Sequence, residues 1–148
     1  MTARAMSLLS AVILLCCTAS VRAEEDVDVS KLYEISTEGT STKLEAGKPG
    51  TFVFRVKTVD GAYISDEAPL RIDLTGKHVK PEKARLTLAD SVTRKPDQKP
   101  PPDPRFEVPL VADGKGQGSI DAKATLFICT AKLCVRQQRT VSVPVEVN

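Results

Sequence analysis

From residue 51 onward the apolar side chains fall on every second position, and that period constrains the fold more than any other feature. A helix with one apolar face repeats every three or four residues, whereas a strand with one face on a core alternates. In TFVFRVK, Phe52, Phe54 and Val56 share a face. In LRIDL, Leu70, Ile72 and Leu74 share one, with Arg71 and Asp73 opposite. RLTLA adds Leu86 and Leu88, and RFEVPL adds Phe106, Val108 and Leu110. SIDAKATLFIC adds Ile120, Ala122, Ala124, Leu126 and Ile128, and the terminal run adds Val141, Val143, Val145 and Val147.

With a first strand near Tyr33 to Ser36, the count is about seven, which predicts an all-β, immunoglobulin-like antiparallel sandwich. The punctuation agrees. Gly47 to Gly50, Asp60-Gly61 and Asp113 to Gly118 are turn chemistry, where glycine supplies positive φ at little steric cost. The mature chain has no helical periodicity and no internal repeat. Asp90 to Pro104, DSVTRKPDQKPPPDP, holds five prolines. It predicts a solvated loop stiffened by proline, since proline gives no N–H to a ladder. The P-x-x-P spacing of Pro101 and Pro104 also suits a lid or a proline-rich ligand.

The chain opens MTARAMSLLSAVILLCCTASVRAEED. A basic start at Arg4, an apolar block from Leu8 to Cys17 and small residues at Val21 and Ala23 form a secretory signal peptide over residues 1–23. The block is shorter than the ~20 apolar residues that span a bilayer, so no stable membrane insertion is expected. Lipid attachment at Cys16 or Cys17 is disfavoured, because Leu15 or Cys16 stands where a lipoprotein carries a small residue. Residues 24–30, EEDVDVS, read as a flexible acidic tail before one domain over 31–148. Cleavage removes Arg4 and Arg22, leaving 19 basic against 19 acidic residues and a net charge of zero. With both signs interspersed, a nucleic-acid partner has no electrostatic support.

Cleavage also removes Cys16 and Cys17, leaving Cys129 and Cys134 in FICTAKLC. Two nearby cysteines in an exported chain are expected to oxidise to a disulfide. A hairpin closed by Thr130 to Leu133 sets Cys129 opposite Cys134, Phe127 opposite Arg136, and Ala122 opposite Val141. Ile120 then meets Val143 and Ile128 meets Val135 on the core face. Gln137 and Arg139 suit that face badly, so a bulge or an open end of the sandwich is expected there. Both sulfurs fall on the outward face at the hairpin tip, within reach of a visiting thiolate. A loop this small adds only ~2 kcal/mol on the chain-entropy view, a weak staple. Redox work and a structural lock both stay open on the residues alone.

F-x-C-x4-C followed by a valine-rich alternating strand resembles the N-terminal periplasmic domain of the thiol:disulfide interchange protein DsbD, and the related disulfide bond correctors. The resemblance runs from about Tyr33 to Asn148 and is clearest in RFEVPLVADGKGQGSIDAKATLFICTAKLC. It implies an immunoglobulin-like sandwich whose cysteine pair takes electrons from a thioredoxin-like partner and passes them to oxidised periplasmic proteins. On that basis Cys129 and Cys134 are the catalytic pair. Phe127, Lys132 and Arg136 are candidates to shield or tune it, Lys132 by lowering a thiol pKa through its charge, though an exposed loop lysine is more often simply solvated. The best-known members carry five residues between the cysteines, a Pro-Pro soon after, and an aromatic cap loop. Here four residues intervene, Val135-Arg136-Gln137-Gln138 follows, and Phe127 or the 90–104 loop takes the place of a cap. The family protein continues into a membrane electron conduit and a thioredoxin domain. With the chain ending at Asn148, the expected donor is a separate protein.

Other chemistry finds little footing. His78 is the only histidine, short of a four-ligand zinc set even with both cysteines. No G-x-S-x-G elbow is present. No cofactor or metal is expected. Tyr63 reads as packing at a strand end.

Overall fold

A computed structural model describes residues 27–148. The expected signal peptide over residues 1–23, with the cysteines at 16 and 17, and residues 24–26 of the acidic tail lie outside them. Ten strands follow in order: β1 (Tyr33–Ser36), β2 (Lys43–Leu44), β3 (Pro49–Thr58), β4 (Tyr63–Ile64), β5 (Arg71–Lys77), β6 (Val79–Pro81), β7 (Arg85–Thr87), β8 (Arg105–Ala112), β9 (Gly116–Cys129) and β10 (Cys134–Val147). All seven expected strands are present. The three additions, β2, β4 and β6, are two or three residues long, too short for any alternation to register.

The strands form an immunoglobulin-like sandwich. One sheet has the order β1-β3-β8-β6, the other β2-β10-β9-β5-β7 with β4 also on β9. Pairing is antiparallel except between β10 and β2, which run parallel through Glu146↔Lys43 and Val147↔Leu44. The alternating residues supply both inner faces. Phe52, Phe54, Phe106 and Leu110 on one sheet meet Ile72, Ile120, Ala122, Ala124, Leu126 and Ile128 on the other, all fully buried. Phe54 pairs with Phe106 across β3 and β8, and their rings lie 6.5 Å apart in a tilted arrangement. Each fully buried side chain of this size contributes about 1.5–3 kcal/mol over leaving it in water.

Three local expectations are corrected. The turn expected over residues 113–118 is shorter, because β9 begins at Gly116, whose φ of 96° makes the bend. Leu88 leaves the strand RLTLA for a 3-10 turn over Leu88–Asp90, which Asp90 closes by accepting from the Thr87 N–H at 2.8 Å. The second half of the acidic tail is no loose end. Val29–Lys31 form a 3-10 turn capped by Asp28, and Val29 packs against the core.

Gln137 and Arg139 do mark an open end, and the register passes through them with no bulge. Tyr33 covers the gap. Its hydroxyl donates to Gln137 Oε1 at 3.2 Å, and the Arg139 guanidinium lies 5.4 Å from its ring centre. Burial pushes the Tyr33 hydroxyl above its ordinary pKa, and the Arg139 charge partly opposes that. No helix among the described residues is long and apolar enough to cross a membrane.

Candidate functional site

β9 and β10 pair without a break from Cys129↔Cys134 to Gly116↔Val147. The expected pairs Phe127↔Arg136, Ala122↔Val141 and Ile120↔Val143 are all present. The tip closes through the Thr130 N–H, which donates to the Leu133 carbonyl at 2.8 Å. That makes Thr130 and Leu133 a hydrogen-bonded pair, so the adjoining cysteines form a non-hydrogen-bonded one, the closer kind. Their Cα atoms are 4.0 Å apart and the sulfurs are bonded.

The two cysteines differ in exposure, which sequence reasoning missed. Cys134 is exposed, while Cys129 is 1% exposed. β4 pairs with the far side of β9 through Tyr63↔Cys129 and Ile64↔Ile128, which sets Cys129 inside the sheet. Cys129 is therefore in the middle of three strands, and Cys134 is at the rim. The ladder continues one step past β4, where the Ser65 N–H donates to the Phe127 carbonyl at 3.0 Å. Ser65 Oγ then accepts from the N–H groups of Glu67 and Ala68, turning the chain beside the disulfide. A two-residue strand carries too little pattern to be read in advance. The one available signal, Tyr63-Ile64 directly after Asp60-Gly61, is weak.

The disulfide lines an open recess with Tyr63, Ser65, Asp66, Glu67, Lys99 and Pro100. Lys99 and Pro100 come from the proline-rich loop, and Lys99 Nζ pairs with Asp66 Oδ2 at 3.2 Å. The loop is tied at its root. Thr93 Oγ1 donates to the Asp103 carbonyl at 2.7 Å, and Asp103 accepts from the Thr58 N–H and hydroxyl. Of the two cap candidates, the loop borders the recess and Phe127 does not.

Phe127 lies in a neighbouring groove with Pro69, Arg71, Asp73, Lys123, Arg136 and Gln138. Arg71 Nε and Arg85 Nε donate to Asp73 at 2.7 and 2.9 Å. These two guanidinium bonds, Arg71 first, hold the Asp73 carboxyl below its ordinary pKa. Arg136 adjoins the cysteine pair but serves this groove. Lys132 is exposed in the turn, where its N–H donates to Thr130 Oγ1 at 3.3 Å. His78 sits between β5 and β6 with φ 61°. β5 ends there on Ser119, ten residues of β9 from Cys129, which is about 33 Å of strand.

No protein-family model matches the chain, and no curated protein matches its sequence. Among solved structures, the chain is similar to native alpha-2-macroglobulin from Escherichia coli, in the part from domain MG7 to the C-terminus. The identity is 15% over 78% of this chain, with a TM-score of 0.46, and the chain spans 16% of that structure's length. It is also similar to AggA, the major subunit of aggregative adherence fimbriae type I from Escherichia coli. There the identity is 15% over 78% of this chain and 94% of the other, with a TM-score of 0.39. A lipoprotein from Bacteroides thetaiotaomicron is similar at 17% identity over 74% of this chain and 77% of the other, with a TM-score of 0.36. With TM-scores this low, the fold rests on the strands and their register.

Proposed function

We propose that this chain is an exported immunoglobulin-like module, a binding or structural domain, in which the Cys129–Cys134 bond locks the β9–β10 hairpin. One observation carries this reading: Cys129 is buried in the middle of three strands, so half of the bond belongs to the packed sheet. Export rests on the leader over residues 1–23. The test is the reduction potential of the bond, measured by equilibration with a dithiol. A structural disulfide lies below about −300 mV. A value in the range of thioredoxin-like oxidoreductases would overturn the lock.

The exposure of Cys134 favours a second reading, thiol–disulfide exchange of the kind the DsbD resemblance implies. A thiolate of a thioredoxin-like protein would attack Cys134 Sγ, forming a mixed disulfide. The Cys129–Cys134 bond breaks, and Cys129 leaves as a thiolate that takes up a proton. The partner's second thiol then attacks the mixed disulfide, leaving this pair reduced and the partner oxidised. The reduced pair would pass its two electrons to an oxidised periplasmic protein by the reverse steps. On this reading Cys134 of a Cys129→Ser variant attacks the disulfide of an oxidised periplasmic protein and, with no Cys129 thiol to resolve the adduct, holds that protein as a mixed disulfide. Failure of both single cysteine variants to capture it would end the exchange reading.

A further inference from the structure

The free side of β10 is unlike every other edge of the sandwich. Apart from β10, the outermost strands are short: β1 has four residues, β6 and β7 have three each, and β2 has two. Short edge strands are a common protection against unwanted strand pairing. β10 runs from Cys134 to Val147, and β2 covers it only at Glu146 and Val147. From Cys134 to Val145 it has a neighbour on one side only, among the described residues.

The direction of its backbone groups follows from the unbroken register. The Glu146 N–H donates outward, to the Thr42 carbonyl at 2.8 Å. Backbone groups alternate along a strand, so the even-numbered residues back to Cys134 also point away from β9. Two side-chain bonds agree. Gln137 Nε2 donates to the Arg136 carbonyl at 3.1 Å, and the Arg139 guanidinium donates to the Gln138 carbonyl at 3.0 Å. No acceptor meets the N–H groups of Arg136, Gln138, Thr140 and Ser142 among the described residues. Pro144, which has no N–H to offer, marks the end of this row.

The charge along the edge has one sign. Residues 129–145 include Lys132, Arg136 and Arg139 and no acidic residue. Neither arginine forms an ion pair among the described residues. Arg136 stands on the outward face of the strand and Arg139 on the inward face, so positive charge flanks the open row on both sides. The inward face also offers half-buried Val135 and Val141.

We infer that the β10 edge between Cys134 and Pro144 binds an extended acidic segment of a partner protein, which adds to the larger sheet as a further strand. The partner's carbonyls accept from the four open N–H groups. Its N–H groups replace the Gln137 and Arg139 side chains on the Arg136 and Gln138 carbonyls, freeing Arg139 for a carboxylate. Its carboxylates meet Arg136 and Arg139, and its apolar residues meet Val135 and Val141. Strand addition of this kind takes affinity from the main chain and selectivity from the side chains. The inference goes beyond the disulfide's role, and it holds for either reading of that bond.

The probe is a nine-residue peptide of alternating valine and glutamate, blocked at both ends, with a valine–lysine peptide as control. Amide hydrogen exchange of the full oxidised protein is read by NMR. At about ten times the dissociation constant of the glutamate peptide, exchange at Arg136, Gln138, Thr140 and Ser142 should slow about tenfold. The lysine peptide should leave these amides unchanged. Thr140→Pro removes one open N–H at a position equivalent to Pro144, and should abolish the response while the fold persists. Should that variant not fold, the Arg136→Glu/Arg139→Glu variant serves instead, and should exchange the glutamate preference for a lysine one. Equal protection by both peptides, protection elsewhere only, an unchanged response in Thr140→Pro, or pairing of two copies through these amides without a peptide response would each overturn the inference. The disulfide stays intact throughout, and its potential is measured without peptide, so each result is read independently of the other.

Discussion

In the second half of β10, Val143, Val145 and Val147 are buried, whereas Val135, Gln137, Arg139 and Val141, on the same face of the first half, are only partly covered. Strand, face, partner β9 and register are shared, so none of these explains the difference. Cover does. The second half has β2 alongside, with Leu44 buried at its edge, and lies over the core between the sheets. The first half faces the end of the smaller sheet, where Tyr33 of β1 reaches across to Gln137 and Arg139. Alternation decides which way a side chain points, and the neighbouring elements decide whether that direction leads to a core or to water. The open half of β10 also carries the disulfide and the unpaired edge.

The largest expected effect breaks this comparison by placing the same charge in each half. Val145, 1% exposed, lies in the hydrophobic core. Val145→Asp should cost roughly 3–5 kcal/mol, as an uncompensated buried charge does. Val135→Asp should cost less than about 1 kcal/mol, since water reaches that position. Denaturant midpoints of the two variants measure the contrast, and similar losses would mean that the first half is covered after all. A smaller effect concerns the tip. Reducing the disulfide should lower stability by about 2 kcal/mol, the value of a very short loop on the chain-entropy view. The loss should be local. Amide exchange in the reduced protein should quicken beside Cys129 and Cys134 and stay unchanged around Ile120 and Val143, whose ladder and core do not need the bond.

The same division separates what the sequence made legible from what it did not. Period-two patterning from Phe52 to Val147 gave the sandwich and its inner faces, because each strand's pattern depends only on its own residues. The hairpin register could be counted, since a four-residue turn leaves one pairing that keeps Ile120, Ala122 and Ile128 on the core face. Gln137 and Arg139 signalled the open end by being polar on an apolar face. What stayed hidden depended on contacts distant in sequence. β4 is two residues long, yet it sets Cys129 inside the sheet, and nothing near Cys129 announces it. The ion pair of Lys99 with Asp66 joins two loops whose sequences carry no sign of each other. The free edge of β10 was equally invisible, because it depends on which strand fails to cover it.

The smallest effect sharpens the comparison at the point where the open half touches the other sheet. Tyr33→Phe keeps the ring beneath Arg139 and removes only the hydroxyl that donates to Gln137, so at neutral pH it should cost about 1 kcal/mol. Its pH dependence is more telling. Burial raises the Tyr33 pKa above the ordinary 10.0, so the folded chain holds this proton more tightly than the unfolded chain does. That stabilisation is complete below the unfolded value and is lost as pH rises through the raised folded value. Phenylalanine has no such proton to lose. The stability gap between the native protein and Tyr33→Phe should therefore narrow as pH climbs past 10, measured by denaturant unfolding at each pH. A gap that stays constant would mean that Tyr33 is fully hydrated and that nothing closes the open end of β10.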